Sequence, residues 1–175
     1  MKQRFTISAG IPADELSAWL EKAARQLGTF DDGRVNYKHA DIAPIILCVV
    51  ACADEVLLLK RGFGLADAEG MWSVVTGFID IAKPVKQHVA QELGEELGVV
   101  VHETNIKLGE SYTLRNPQEK RQYIIFPSLV EFSEKPDVIL DSEHTDFTWV
   151  HRDSLSVYNI LDDLPYAIDT AFKLK

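Results

Sequence analysis

At 175 residues, with 46% hydrophobic and 26% charged side chains, the chain is long enough for one hydrophobic core and too short for two ordinary domains. Its formal net charge of −9 argues against non-specific binding to nucleic acid or to anionic lipid. Its longest apolar run, residues 43–53, falls well short of a bilayer crossing.

The chain starts basic, with Lys2 and Arg4, but no apolar signal-peptide stretch follows, so the cytoplasm is the expected location. Leu16, Trp19, Leu20, Ala23, Ala24 and Leu27 then recur at helical spacing, with Pro12 near the start and Gly28 at the stop. A turn-rich stretch, Asp31-Asp32-Gly33, leads to a short strand-like piece at 35–37. Residues 1–40 therefore read as an N-terminal extension of helix and strand. Whether it packs on the core or on a second subunit, in a homodimer, stays open.

The main domain, residues 41–175, alternates strands and helices. Residues 45–53 are almost continuously apolar, as expected of a strand buried on both faces. Cys48 and Cys52 alternate onto one face of that strand, where a disulfide would need a sharp kink, and buried reduced thiols are expected. A turn at Asp54-Glu55 leads into a strand at 56–60. Residues 72–75 form another, ending at Thr76-Gly77. Residues 84–97 read as a helix, with Pro84 suited to its first turn and Gly98 to its exit. Strands follow at 99–101, 111–114, 122–132 and 147–150. A closing helix is marked by Leu164, Ala167, Ile168, Ala171 and Phe172. Mixed strands and helices on this scale imply a layered α/β or α+β domain.

Glu92, Glu95 and Glu96 sit at i, i+3 and i+4 of the 84–97 helix, so their carboxylates share a face. A solvated acidic face is the plain alternative, and three details count against it. No Lys or Arg lies three or four residues away, so each like-charge clash of about 0.2–0.5 kcal/mol goes uncompensated within the helix. The cluster occupies the last turns, where the helix dipole already disfavours negative charge. Gly94, amid the cluster, costs about 1 kcal/mol relative to Ala. Val85, Val89, Leu93 and Leu97 are expected to fix the opposite stripe to the core. Oxygen ligands converging from one face suit Mg²⁺ or Mn²⁺, hard cations that keep several of their waters. An acidic protein working on an anionic substrate needs such a positive group.

Residues 77–99 resemble a Nudix box: Gly, five residues, Glu, seven residues, Arg-Glu, an aliphatic, any residue, Glu-Glu, any residue, Gly, an aliphatic. Gly77 matches, and Glu92-Leu93-Gly94-Glu95-Glu96-Leu97-Gly98-Val99 matches from the second Glu onward. Two positions depart, with Lys83 in place of the first Glu and Gln91 in place of the Arg. Leu57-Leu58-Leu59-Lys60-Arg61, Trp72, Glu143-His144 and Trp149-Val150 also look Nudix-like, so the likeness covers roughly 42–175. It implies an α/β/α sandwich with a mixed central sheet. It also implies hydrolysis of the pyrophosphate of a nucleoside diphosphate linked to another group.

Under that resemblance Glu92 and Glu96 are the leading metal ligands, with Glu95 next. The Arg of the pattern helps orient the first of them. Gln91 donates a hydrogen bond without the charge or the fork of Arg. Lys83 either pairs with a box carboxylate or meets a substrate phosphate. Glu143 resembles the extra acidic residue that some members use as base, and Glu110 is a weaker candidate. Arg61, entering the Gly62-Phe63-Gly64 loop, is a candidate for gripping phosphate. His88, four residues before Glu92, is a hydrogen-bond partner or simply exposed, and reads as exposed; Trp72 could stack on a base, and reads as a core residue. Gln122-Tyr123-Ile124-Ile125-Phe126-Pro127-Ser128-Leu129 is similar to a signature of the NADH pyrophosphatase branch. It lacks that signature's two interior prolines and tryptophan, and the chain lacks that branch's zinc cysteines. Nucleotide sugars, ADP-ribose, dinucleoside polyphosphates and nucleoside triphosphates all stay open as substrates. The alternative function is a catalytically weakened nucleotide-binding or sensing protein on the same fold.

Overall fold

Eleven almost wholly apolar residues form strand β2 (Ile42–Cys52), and both of its faces are covered. In this computed structural model, which describes residues 5–63, 68–115 and 121–174, β2 runs parallel to β8 (Gln122–Phe132) over its full length. A hairpin joins β2 to β3 (Glu55–Arg61), and β3 pairs antiparallel with β9 (His144–His151). On the far side of β8 stand β6 (Ile106–Leu108) and β7 (Tyr112–Arg115), both antiparallel to it. The sheet is thus mixed around one parallel pair, and such pairs are stable when buried on both faces.

Alternation along the strands assigns the two layers. Ile46, Cys48 and Val50 of β2, Leu57 and Leu59 of β3, and Phe126 and Val130 of β8 share one core with helices α1 (Leu16–Leu27) and α2 (Val85–Leu97). Leu47, Val49, Ala51, Val56, Leu58, Ile125 and Leu129 point the other way, into a second core closed by α3 (Leu164–Phe172). The result is an α/β/α sandwich. No helix among the described residues is long and apolar enough to cross a membrane.

The N-terminal segment packs on its own chain. Strand β1 (Thr6–Ala9) extends the sheet antiparallel to β7, and Leu16, Leu20 and Ala23 of α1 are buried in the α2-side core. Tyr37 ties the segment to the loop before α2, its hydroxyl donating to Ile79 O at 2.7 Å.

Four local expectations are corrected. Residues 35–37 make no strand: Val35 forms an isolated bridge with Thr29, and its N–H donates to Asp80 O. Tyr37 instead opens a 3₁₀ turn whose Lys38 N–H is capped by Asn36 Oδ1. The strand expected at 72–75 splits into β4 (Trp72–Ser73) and β5 (Val75–Phe78), which serve different partners, β3 and β2. Residues 99–101 make no strand, because Val99 N–H is committed to Leu93 O at the helix end. Of the two free thiols only Cys48 is buried. Cys52 is half-exposed at the strand end, beside Ala53 at a φ of 52°.

Candidate active site

Strand β5 and the Glu92 side chain of helix α2 meet at a close approach that the glycine at 77 makes room for. A Cβ on Gly77 would lie 2.2 Å from Glu92 Oε1 and 2.3 Å from its Cδ. The missing side chain of β5 is the space that the Glu92 carboxylate fills. One turn further along, Glu96 turns the same way, and the Thr76 N–H donates to its carboxylate. Its other oxygen, Oε2, is buried with no hydrogen-bond partner.

The helix presents these groups differently from the expected opposite stripes. At about 100° per residue, Glu96 falls between Val85 and Val89 on the helical wheel, and Glu92 and His88 lie just beside them. Hence Glu96 is only 7% exposed and His88 only 3%. The expectation of an exposed His88 is corrected: its Nε2 lies 2.9 Å from Ile81 O, which fastens the loop before α2 to the helix. Glu95 points to solvent. Gly94 is exposed, and a Cβ there would meet open space, so packing does not repay its helix penalty. Gly94→Ala should therefore raise stability by about 0.5–1 kcal/mol in a denaturant titration. A loss of stability would show that residue 94 carries a constraint beyond its own helix.

The loop before β9 completes the cluster. Asp141 Oδ1 accepts the backbone N–H groups of Glu143 (3.1 Å) and His144 (3.2 Å), and lies 2.8 Å from His144 Nδ1. With Nδ1 held there, the buried His144 ring directs Nε2 to within 3.9 Å of Glu96 Oε2. Glu143 is exposed, and its carbonyl anchors the loop by accepting Gly62 N–H at 2.7 Å. Asp141 and His144 are functional candidates that sequence reasoning missed. The available signal was an Asp two and three residues before the Glu143-His144 pair, a spacing suited to an Asx turn.

The remaining candidates scatter. Lys83 donates to Gln91 Oε1 rather than to a carboxylate, and Gln91 Nε2 donates to Glu95 Oε1 at 2.7 Å. Arg61, half-buried at the end of β3, pairs in register with His144 across a β-bulge. Gly64 of its loop lies outside the described residues. Trp72 is half-buried against the α3-side core, edge-on to Tyr158. Glu110 is exposed in the β6–β7 turn, whose Gly109 N–H donates to Pro127 O at 2.9 Å. The N-terminal segment adds Arg34, whose guanidinium lies 3.7 Å from Asp80 Oδ2.

The carboxylates repel one another in a half-dry setting. Burial, then the charges of Glu95 and Asp80, pushes Glu92 up to about 7. Burial, then Glu92 and Asp141, pushes Glu96 up to about 9. Glu143 bears on both in the same direction, so its charge reaches the pair. Two neighbouring carboxyls with raised pKa are a functional signal.

Among the described residues, no three His, Cys, Asp or Glu side chains converge closely enough to enclose a metal ion by themselves. The donors nevertheless fit a divalent ion that keeps most of its waters: a buried unpartnered oxygen on Glu96, with a second carboxylate beside it. For an acid whose folded pKa is raised, the folded state holds its proton more tightly. Stability is then fully present below the unfolded value and is lost as pH climbs towards the folded one. The metal-free protein should lose stability between roughly pH 4.5 and 9. Because a cation binds the ionised form, its stabilisation grows over the same range. The gain in Tm on adding Mn²⁺ should be larger at pH 8.5 than at pH 6 by about 5 °C. A gain independent of pH would contradict these assignments.

The NUDIX domain family matches residues 42–169. The NAD-capped RNA hydrolase NudC of Salmonella paratyphi C (strain RKS4594) is 26% identical over 117 residues, 67% of this chain and 42% of that protein. The chain thus spans less than half the length of such curated relatives. The NUDIX domain of Shewanella oneidensis NrtR, solved with ADP ribose, superposes with a TM-score of 0.64 at 18% identity, covering 86% of this chain and 96% of that one. A bifunctional NMN adenylyltransferase/ADP ribose pyrophosphatase from Francisella tularensis, solved with AMP and a manganese ion, gives 0.58 at 16%, covering 90% and 46%. At these identities the structural likeness is one of fold.

Proposed function

Because the chain belongs to the Nudix family, we propose that it hydrolyses the pyrophosphate bond of a nucleoside diphosphate joined to another group, using Mg²⁺ or Mn²⁺. One observation carries the assignment: the buried, unpartnered Glu96 Oε2 set beside Glu92. A buried carboxylate oxygen without a hydrogen bond is costly, and the His144 Nε2 at 3.9 Å is too far to donate one, so a group that offsets this charge belongs there.

Glu92 and Glu96 would hold the ion, and Glu95 would reach it from the rim. When bound, a divalent ion supplies charge neutralisation on the phosphoryl oxygens and a water of lowered pKa. Gly77 keeps Glu92 in place by leaving it room. Asp141 and His144 set the loop that carries Glu143, the carboxylate proposed to take the proton of the attacking water. Arg61, at the bulge beside this loop, is proposed to meet a phosphate oxygen.

The net charge of −9 favours a small anionic substrate over a polymeric one. The names of the relatives add ADP-ribose and NAD-capped RNA to the substrates worth testing. The full chain, incubated with Mn²⁺ and ADP-ribose, NADH, nucleotide sugars, dinucleoside polyphosphates, nucleoside triphosphates or NAD-capped RNA, should release a nucleoside monophosphate or phosphate from at least one. Tight binding without turnover across the panel would favour the sensing alternative.

A further inference from the structure

The two residues that depart from the family's box pattern touch each other. Lys83 donates to Gln91 Oε1, and the amide nitrogen of Gln91 donates to Glu95 Oε1 at 2.7 Å. We propose that Lys83 is a positioning residue: it locks the Gln91 amide with its N–H₂ towards Glu95, supplying from position 83 the charge that the pattern carries at 91.

The chemistry of the three groups fixes the direction of this chain. An ammonium only donates and an ionised carboxylate only accepts, while a carboxamide has one end of each kind. A single orientation of Gln91 satisfies both neighbours. Without Lys83 the bond to Glu95 is left to hold the amide alone, at an exposed place where water competes for both groups, and Gln91 loses its second anchor. One oxygen of Glu95 is taken by Gln91, which leaves the other for a cation, as with other hydrogen-bonded carboxylate ligands. All three side chains are at or near the surface, where water competes, and the expected effects are correspondingly modest.

The inference rests on the reading that Glu92, Glu95 and Glu96 hold a divalent ion, and the test uses the full chain with two readouts. Mn²⁺ affinity is measured from the EPR signal of the free ion, and kcat and KM are measured on the best substrate of the panel. Lys83→Met and Lys83→Glu should each weaken Mn²⁺ binding about three- to tenfold and lower kcat with little change in KM. Lys83→Arg should stay within about twofold of the parent. Gln91→Arg alone sets two cations side by side and should also weaken binding. The double variant Lys83→Glu/Gln91→Arg restores one charge of each sign, and should return to within about twofold of the parent. Losses that multiply in the double variant overturn the proposal. So does a rise in KM alone, which would make Lys83 a substrate contact. Mn²⁺ bound by the parent with no turnover defeats the hydrolase assignment while the affinities still decide this one. A parent that binds no Mn²⁺ defeats both.

Discussion

Glu96→Gln should lower hydrolysis by about a hundred- to a thousandfold while making the metal-free protein more stable. The two effects have one origin. Glu96 is 7% exposed, its Oε2 has no hydrogen-bond partner, and its pKa stands at about 9. An ionised carboxylate in that place is a cost that a bound cation offsets and that an amide never incurs. Gln keeps the acceptor that meets Thr76 N–H but offers no negative charge to an ion. Its stability advantage must therefore widen as pH rises from about 5 to 9, since only the parent ionises over that range. Thermal unfolding in chelator should show a gain of about 1–2 kcal/mol at the alkaline end. A variant that loses both activity and stability would mean that Glu96 serves the fold.

Gly77→Ala is the second large effect, and it acts without touching a charge. The added methyl would lie within 2.7 Å of three side-chain atoms of Glu92, so the carboxylate must swing away from β5. No left-handed backbone is involved, since Gly77 is not among the residues of positive φ, and strain in the chain is not the cause. The yielding partner is a flexible side chain, so stability should fall by only about 1–2 kcal/mol. Activity should drop about a hundredfold through a misplaced ligand. Steady-state kinetics with a Mn²⁺ titration checks it: the loss should appear as weaker metal activation. Near-parental activation by Mn²⁺ would show that Glu92 is free to act from another rotamer.

The layers of the fold were legible because burial on two faces leaves a plain mark. The unbroken apolar run of β2 announced a strand between two helical layers, and the spacing of Leu16, Leu20 and Ala23 announced α1. What failed was local pairing, which depends on partners distant in sequence. Residues 72–75 looked like one strand because nothing local shows that β4 and β5 answer to different neighbours. Residues 99–101 are three β-branched valines and look like a strand, yet Val99 N–H is already spent on closing α2.

The acidic face was legible from its spacing, but its depth was not. Three glutamates at i, i+3 and i+4 look equivalent in sequence, whereas here Glu96 is buried, Glu92 half-buried and Glu95 exposed. The difference arises from β5, which covers one edge of α2 and has its glycine at the point of contact. His88 was misjudged for the same reason. Asp141 was invisible as a partner of His144 until the Asx turn brought the two together. Of the three penalties that pointed to function, charge repulsion gains a structural cause in burial. The glycine at 94 gains none.

All of this turns on whether the Glu92–Glu96 pair accepts its burial in exchange for a cation. Crystals of the full chain soaked in Mn²⁺ near pH 8, mapped by the anomalous scattering of manganese, decide it most directly. The expected result is one peak within coordination distance of carboxylate oxygens of both Glu92 and Glu96, Oε2 of Glu96 among them. A fully soaked crystal with no peak there, and with Glu96 Oε2 engaged by another protein group, would contradict it.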